Sequence, residues 1–183
     1  MHLSRAIAPI VPIVLLLGVA GASAQDKGKT GITMGYPTSV GFVMHVNERV
    51  AIRPELNFST GTTETEGLFA STSDGFTIAV GFSALIYIGE GDKLRPYVSP
   101  SYTFAHTSAS SDSAIAGETE SSNSSHTGAG AFGAQYSLHD RFTVFGEVGV
   151  GTSFSSQKIG ISGGRSETRV VSTRTRVGVV FYF

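Results

Sequence analysis

His106 and Ser108 stand two residues apart, and on an extended strand that spacing puts both side chains on one side. A histidine beside a serine is the beginning of a nucleophilic arrangement, which is complete only when a carboxylate orients the imidazole. The nearest acids are Glu118 and Glu120, in a Ser-rich stretch that reads as a loop. The plainer reading is therefore a strand-end histidine running into a polar segment. His126 lies at the other border of that stretch, but two histidines without further ligands do not make a metal site. Gly128 to Gly133 has the glycine content of a phosphate loop. No strand-to-helix transition surrounds it, so glycine packing within a strand is the better account. His45 and His139 read as a filler and a turn residue.

A second set of charges is more regular. Arg53, Glu55, Arg95, Glu147, Arg174 and Arg176 all fall at alternate positions opposite an apolar series. In one segment Ile52, Pro54, Leu56 and Phe58 take one side and Arg53, Glu55 and Asn57 the other; in the last, Val177, Val179, Phe181 and Phe183 oppose Arg174, Arg176 and Tyr182. Buried charges persist only when paired and hydrogen-bonded, so Glu55 and Glu147 are each expected to contact at least one of these arginines. The set reads as a structural polar cluster. No catalytic residue, metal site or cofactor is expected.

The elements that must position these residues follow from a repeated grammar. Glu48-Arg49-Val50, Asp92-Lys93-Leu94 and Asp140-Arg141-Phe142 each run acidic, basic, apolar and then open an alternating segment. Between them lie longer polar stretches, Gly61 to Gly75, Ser108 to Ser125 and Ser156 to Arg169, expected as loops. The chain then divides into eight strands: Lys29 to Tyr36, Val40 to Val46, Val50 to Ser59, Phe76 to Ile88, Leu94 to His106, Thr127 to Leu138, Phe142 to Phe154 and Val171 to Phe183. The first two are short.

Arg5, the apolar run Ile10 to Val19 and the small residues Ala22-Ser23-Ala24 describe a cleaved signal peptide over residues 1–24, leaving a single domain over 25–183. Losing Arg5 leaves 12 basic against 14 acidic side chains, a formal charge of −2, and no basic excess points to nucleic acid. With no cysteine, an exported chain must draw its stability from the fold itself.

No segment after residue 24 is apolar enough to cross a bilayer as a helix, so any crossing must be made by strands in a closed barrel. An antiparallel up-and-down transmembrane β-barrel of eight strands is therefore expected. Lys or Arg facing hydrocarbon at the midplane costs about 2 to 4 kcal/mol, so the apolar series must face out and the charges in. An eight-stranded lumen is only wide enough for side chains. Inward glycines such as Gly81, Gly133, Gly149, Gly151 and Gly178 are expected to make room for the arginines. Tyr36, Phe58, Phe76, Tyr102, Phe104 and Phe154 should mark one interface, and Tyr136, Phe142, Phe181 and Phe183 the other. Pro54, Pro96 and Pro100 predict bulges or local irregularity. A soluble β-sandwich is the alternative fold.

The signal peptide, the openings Arg53-Pro54-Glu55-Leu56 and Arg95-Pro96-Tyr97, and the ending Val177-Gly178-Val179-Val180-Phe181-Tyr182-Phe183 together resemble the small outer-membrane β-barrel proteins, the group of the OmpA transmembrane domain and OmpX. The resemblance covers essentially the whole mature chain. It implies the outer membrane of a Gram-negative cell, contact with outer-membrane lipids and lipopolysaccharide, and a terminal Phe183 that the barrel assembly machinery recognises. It implies function only broadly: a structural or surface-binding, adhesion-type barrel, with a narrow porin-like channel or a lipid A-modifying enzyme as alternatives. A lipid A deacylase of this barrel type resembles the His106-Ser108 spacing, although the surrounding residues do not match it. Lys158, Arg165 and Arg169 are further candidates to pair with lipid phosphates.

Overall fold

The computed structural model describes residues 28–37, 39–65, 71–89, 91, 93–113, 117–159 and 165–183. The expected signal peptide lies outside the described residues.

Eight antiparallel strands close into one barrel in which each strand pairs with its sequence neighbours and the last with the first. They are β1 (Thr30–Tyr36), β2 (Ser39–His45), β3 (Val50–Thr65), β4 (Ser71–Tyr87), β5 (Leu94–Ser113), β6 (Gly117–His139), β7 (Phe142–Ile159) and β8 (Arg165–Tyr182). Up-and-down closure leaves no sheet edge along the barrel's lower wall. The pairing row through Leu56 runs by Val80, Phe104, His126 and Phe154 to Arg169. Taken the other way, by Val40 and Met34, it arrives at Val179, ten residues along the same strand. That stagger tilts the strands by about 40° from the barrel axis, the inclination a closed eight-stranded sheet adopts.

The alternation decides which face goes where. Phe58, Phe76, Val80, Phe82, Val148, Val150, Val177 and Phe181 are all about half exposed or more on the outer surface. All ten aromatic residues expected at the two interfaces are on that surface as well. Buried inside are Arg53, Ser83, Tyr97, Gln135 and Tyr182, but also Val43, Ala51, Leu85, Phe145 and Val180. The lumen is thus not the purely polar core that the alternation predicts. Its periplasmic half is a mixed core of tyrosines and aliphatic groups, because inward positions below the charges need only fill space. Gly133 and Gly178 show how tightly it fills. A Cβ at Gly133 would lie 2.7 Å from the Tyr97 ring, and one at Gly178 2.5 Å from that of Phe145. These glycines accommodate aromatic rings rather than the expected arginines.

The expected loops are corrected. The polar stretches 61–75, 108–125 and 156–169 are not loops over most of their length. Thr62 pairs with Asp74, Ser108 with Ser122 and Gln157 with Ser166 in unbroken register. The reason is that hairpins begun in the bilayer keep zipping beyond it, where neither face has to be apolar; Thr62 Oγ1 donating to Asp74 Oδ1 at 2.6 Å and the 2.9 Å Thr77–Thr107 hydroxyl bond are the cross-strand ties. The prolines bring the expected local irregularity, but without shifting the register. The ladder is interrupted opposite Pro54, between Gly41–Glu55 and Met44–Ile52, and opposite Pro100, and resumes in step each time. A register shift occurs instead at Ser137/His139, next to a periplasmic turn.

The wall is uneven. At the periplasmic end the strands finish level, but β1 and β2 stop at a low turn. Above the Tyr36–Val177 pair β8 runs on to Arg165, and above the Val40–Leu56 pair β3 runs on to Thr65. No described strand stands between them there. The burial pattern records the gap: β4 keeps its strict alternation, whereas 58–64 of β3 and 166–175 of β8 are exposed on both faces. At about 3.3 Å per residue and this tilt, the notch is roughly 25 Å tall.

Candidate functional site

The charges cross the lumen at the level where β1 and β2 end. Arg53 projects inward from β3 and is 1% exposed. Its Nη2 forks onto Glu147 of β7, at 2.8 Å from Oε1 and 3.1 Å from Oε2, while Nε donates to Ser83 Oγ at 3.1 Å and lies 3.5 Å from Glu55 Oε2. Tyr97 of β5 donates its hydroxyl to Glu147 Oε1 at 2.8 Å. Arg176 of β8 holds Glu55 through Nη1 at 2.6 Å and through Nη2, which also meets Ser39. The chain Arg176, Glu55, Arg53, Glu147, Tyr97 therefore ties β8, β3, β7 and β5 together through the barrel's interior. Phe145 lies under both guanidinium groups, at 5.2 Å from Arg53 and 5.6 Å from Arg176. Each carboxylate has an arginine, so little uncompensated charge is buried.

Arg95 and Arg174 do not join this cluster. Arg95 sits at the periplasmic mouth, stacked 4.1 Å over Tyr87 with Nη2 donating to the Glu48 carbonyl. So close to the periplasmic turn, its side chain cannot reach the Glu55 level. Arg174 is two residues above Arg176 and exposed, because it stands at the edge of the notch rather than within the closed ring. Below the cluster, Tyr87 donates to Gln135 Oε1 at 2.8 Å, His45 Nε2 and the Tyr182 hydroxyl share a 3.1 Å bond, and the His45 and Tyr87 rings stack. Sequence reasoning does not single out Phe145, Ser39 or Ser83. Phe145 shares the parity of Glu147 and Thr143, and Ser83 that of the inward residues of β4, so both are legible on that ground; Ser39 carries no signal without the register of its neighbours.

On the outer surface His106 Nδ1 is bonded to Ser124 Oγ at 3.0 Å, and Ser108 Oγ lies 3.5 Å from His106 Nε2. The position where a carboxylate would orient the ring is occupied by a serine. Glu120 stands opposite Ser110, two strand steps beyond Ser108, and Glu118 opposite Asp112. His126 is not level with His106 but two strand steps lower, opposite Phe104, with Nδ1 2.6 Å from the Tyr102 hydroxyl and its ring 5.1 Å from that of Phe104. Among the described residues no group of three His, Asp or Glu side chains could hold a metal ion. Arg169 stacks 5.4 Å over Phe154 at the outer aromatic level. Phe183 ends the chain beside β1, its amide bonded to the Thr30 carbonyl.

Comparison with known proteins agrees with this architecture. The model of the family described as "Outer membrane protein beta-barrel domain" matches residues 11–183. Among solved structures, a major outer membrane protein from Thermus thermophilus superposes with a TM-score of 0.56 at 12% identity, covering 85% of this chain and 98% of that one. Ail, the attachment invasion locus protein of Yersinia pestis, superposes with a TM-score of 0.52 at 15% identity, covering 86% and 99%. At such identities the likeness is one of fold. No curated protein sequence matches the chain. With its closed eight-stranded ring, its apolar outer face and the family match over nearly its full length, the chain belongs to the outer membrane protein β-barrel family and resides in the cell outer membrane.

Proposed function

We propose that this outer-membrane protein is a non-enzymatic barrel with a sealed lumen, an envelope component that acts through the polar sheet it raises above the bilayer. The observation that carries the reading is the Arg53 guanidinium, buried at 1% exposure and held across the lumen by Glu147, Glu55 and Ser83. With Tyr97, Leu85, Val43 and Val180 buried beneath it, a conducting path would have to break this network. In planar bilayers the purified barrel should give no steady single-channel currents; reproducible step currents would establish the narrow channel instead.

The raised sheet supports a surface-binding role. β3 to β7 present Ser, Thr and acidic side chains well beyond the apolar belt, on a paired ladder rather than on loops, and a cleft of about 770 Å³ lined by Thr62, Asp74, Ser110 and Glu120 among others lies in it. The solved barrel of an attachment invasion locus protein has a comparable scaffold. The His106 surface supports no acyl transfer, since a serine stands where the orienting acid belongs. Mass spectra of lipid A from cells with and without the protein should therefore coincide. Outer-membrane lipids and lipopolysaccharide are its surroundings in this reading, and the assembly machinery engages it through Phe183.

A further inference from the structure

The notch between β3 and β8 opens where hydrocarbon should be. On β8, outward Val171 stands six residues above Val177, the last residue paired with β1, and is 67% exposed. Phe58, Phe76 and Phe154 likewise continue the apolar belt above the β1–β2 turn. With tilted strands the floor of the notch lies roughly 10 Å below the top of the belt. A strand edge cannot face acyl chains there, because the backbone groups of an open edge have no partner in lipid; such backbone is tolerated only beside polar material.

The floor is cationic. Arg176 is tied to Glu55 and Ser39, but Arg174, two residues higher on the same inward face, is exposed and has no carboxylate partner among the described residues. Its side chain crosses Gly151, where an added Cβ would come within 3.2 Å of it. Behind it the inner wall carries the small side chains of Ala79, Thr103, Ala105, Ala129 and Ser172, so the space above the cluster is left open.

We infer that the notch is a lateral seat for an outer-leaflet lipid with an anionic phosphate headgroup, the phosphate meeting Arg174 inside the barrel wall while the acyl chains stay in the belt outside. Charge and position favour this occupant over a second copy of the chain. Two β8 edges brought together by a two-fold would set Arg169 and Arg174 of one against those of the other, and like charges facing across a ladder are destabilising. The seat is independent of whether the lumen conducts.

The absence of tryptophan makes the test direct, since one introduced indole reports alone. Three variants, Ser172→Trp at the notch, Ala105→Trp on the far inner wall and Thr173→Trp on the outer face of β8, are reconstituted in liposomes of phosphatidylcholine or of phosphatidylcholine with phosphatidylglycerol, one lipid at a time carrying brominated chains. Thr173→Trp should be quenched by either lipid and Ala105→Trp by neither. Ser172→Trp should be quenched preferentially by brominated phosphatidylglycerol. Adding Arg174→Gln should cut that preference by about tenfold, the weight of one charge-assisted contact. Folding of each variant is checked by its gel mobility before and after boiling, and Ser172→Cys carrying a bimane serves if the indole does not fit. Equal quenching by both lipids would show that no headgroup is recognised and overturn the inference. So would a silent Ser172→Trp beside a quenched Thr173→Trp, most plainly if native mass spectra then show a dimer, which would put a second copy in the notch.

Discussion

Arg53 is the residue on which the interior depends most. It is buried, it meets two carboxylates and a serine, and it lies over the Phe145 ring. Removing one partner of a buried pair leaves the other charged and uncompensated, a change that costs about 3 to 5 kcal/mol. Arg53→Met should lower the unfolding free energy in urea by that order, with Glu147 the group left exposed to the penalty. A loss below about 0.5 kcal/mol, the range of an ordinary surface substitution, would show that the cluster is not holding the strands together. Arg174→Met, by contrast, should leave stability unchanged, since that side chain has no carboxylate to abandon. The six charges were legible in the sequence as one inward series, because parity alone fixes the face. Which of them meet was not, because height in a staggered barrel depends on the ten-residue offset and not on position along a single strand. That is why Arg95 and Arg174, identical in pattern to Arg53 and Arg176, sit apart from them.

The strands were legible at their periplasmic ends and not at the other. Val50, Leu94 and Phe142 open β3, β5 and β7 as the acidic-basic-apolar turns predict. The extracellular ends lie well beyond the expected ones, since the cue used was an apolar face, and lipid alone demands one. Past the bilayer, Ser and Thr on both faces look like a loop and still pair. Amides of 119–125 in β6 should accordingly be protected from hydrogen exchange to a degree comparable with the paired amides of 130–135; exchange at the rate of an unstructured chain would restore the loop reading. Arginine substitution separates the two zones as well. Val148→Arg, on the lipid face, should cost about 2 to 4 kcal/mol, while Ser110→Arg on the raised part of β5 should cost almost nothing.

For the molecule, closure accounts for what composition left open between a membrane barrel and a soluble sandwich. Both alternate, and only the ring leaves the apolar side outermost and the arginines within. The folded chain should migrate differently on gels before and after boiling, and mature protein that stays monomeric and folded in buffer without surfactant would contradict the lipid-facing assignment. The low β1–β2 hairpin has one more consequence. At the hairpin itself the greasy girdle stops lower than on the opposite wall, where Tyr102 and Phe104 of β5 carry it higher. Such one-sided hydrophobic mismatch is relieved by tilt or by local thinning of the bilayer. The protein should therefore lean in its membrane and dimple the leaflet on a fixed side, giving a cylinder without symmetry a preferred orientation toward its neighbours.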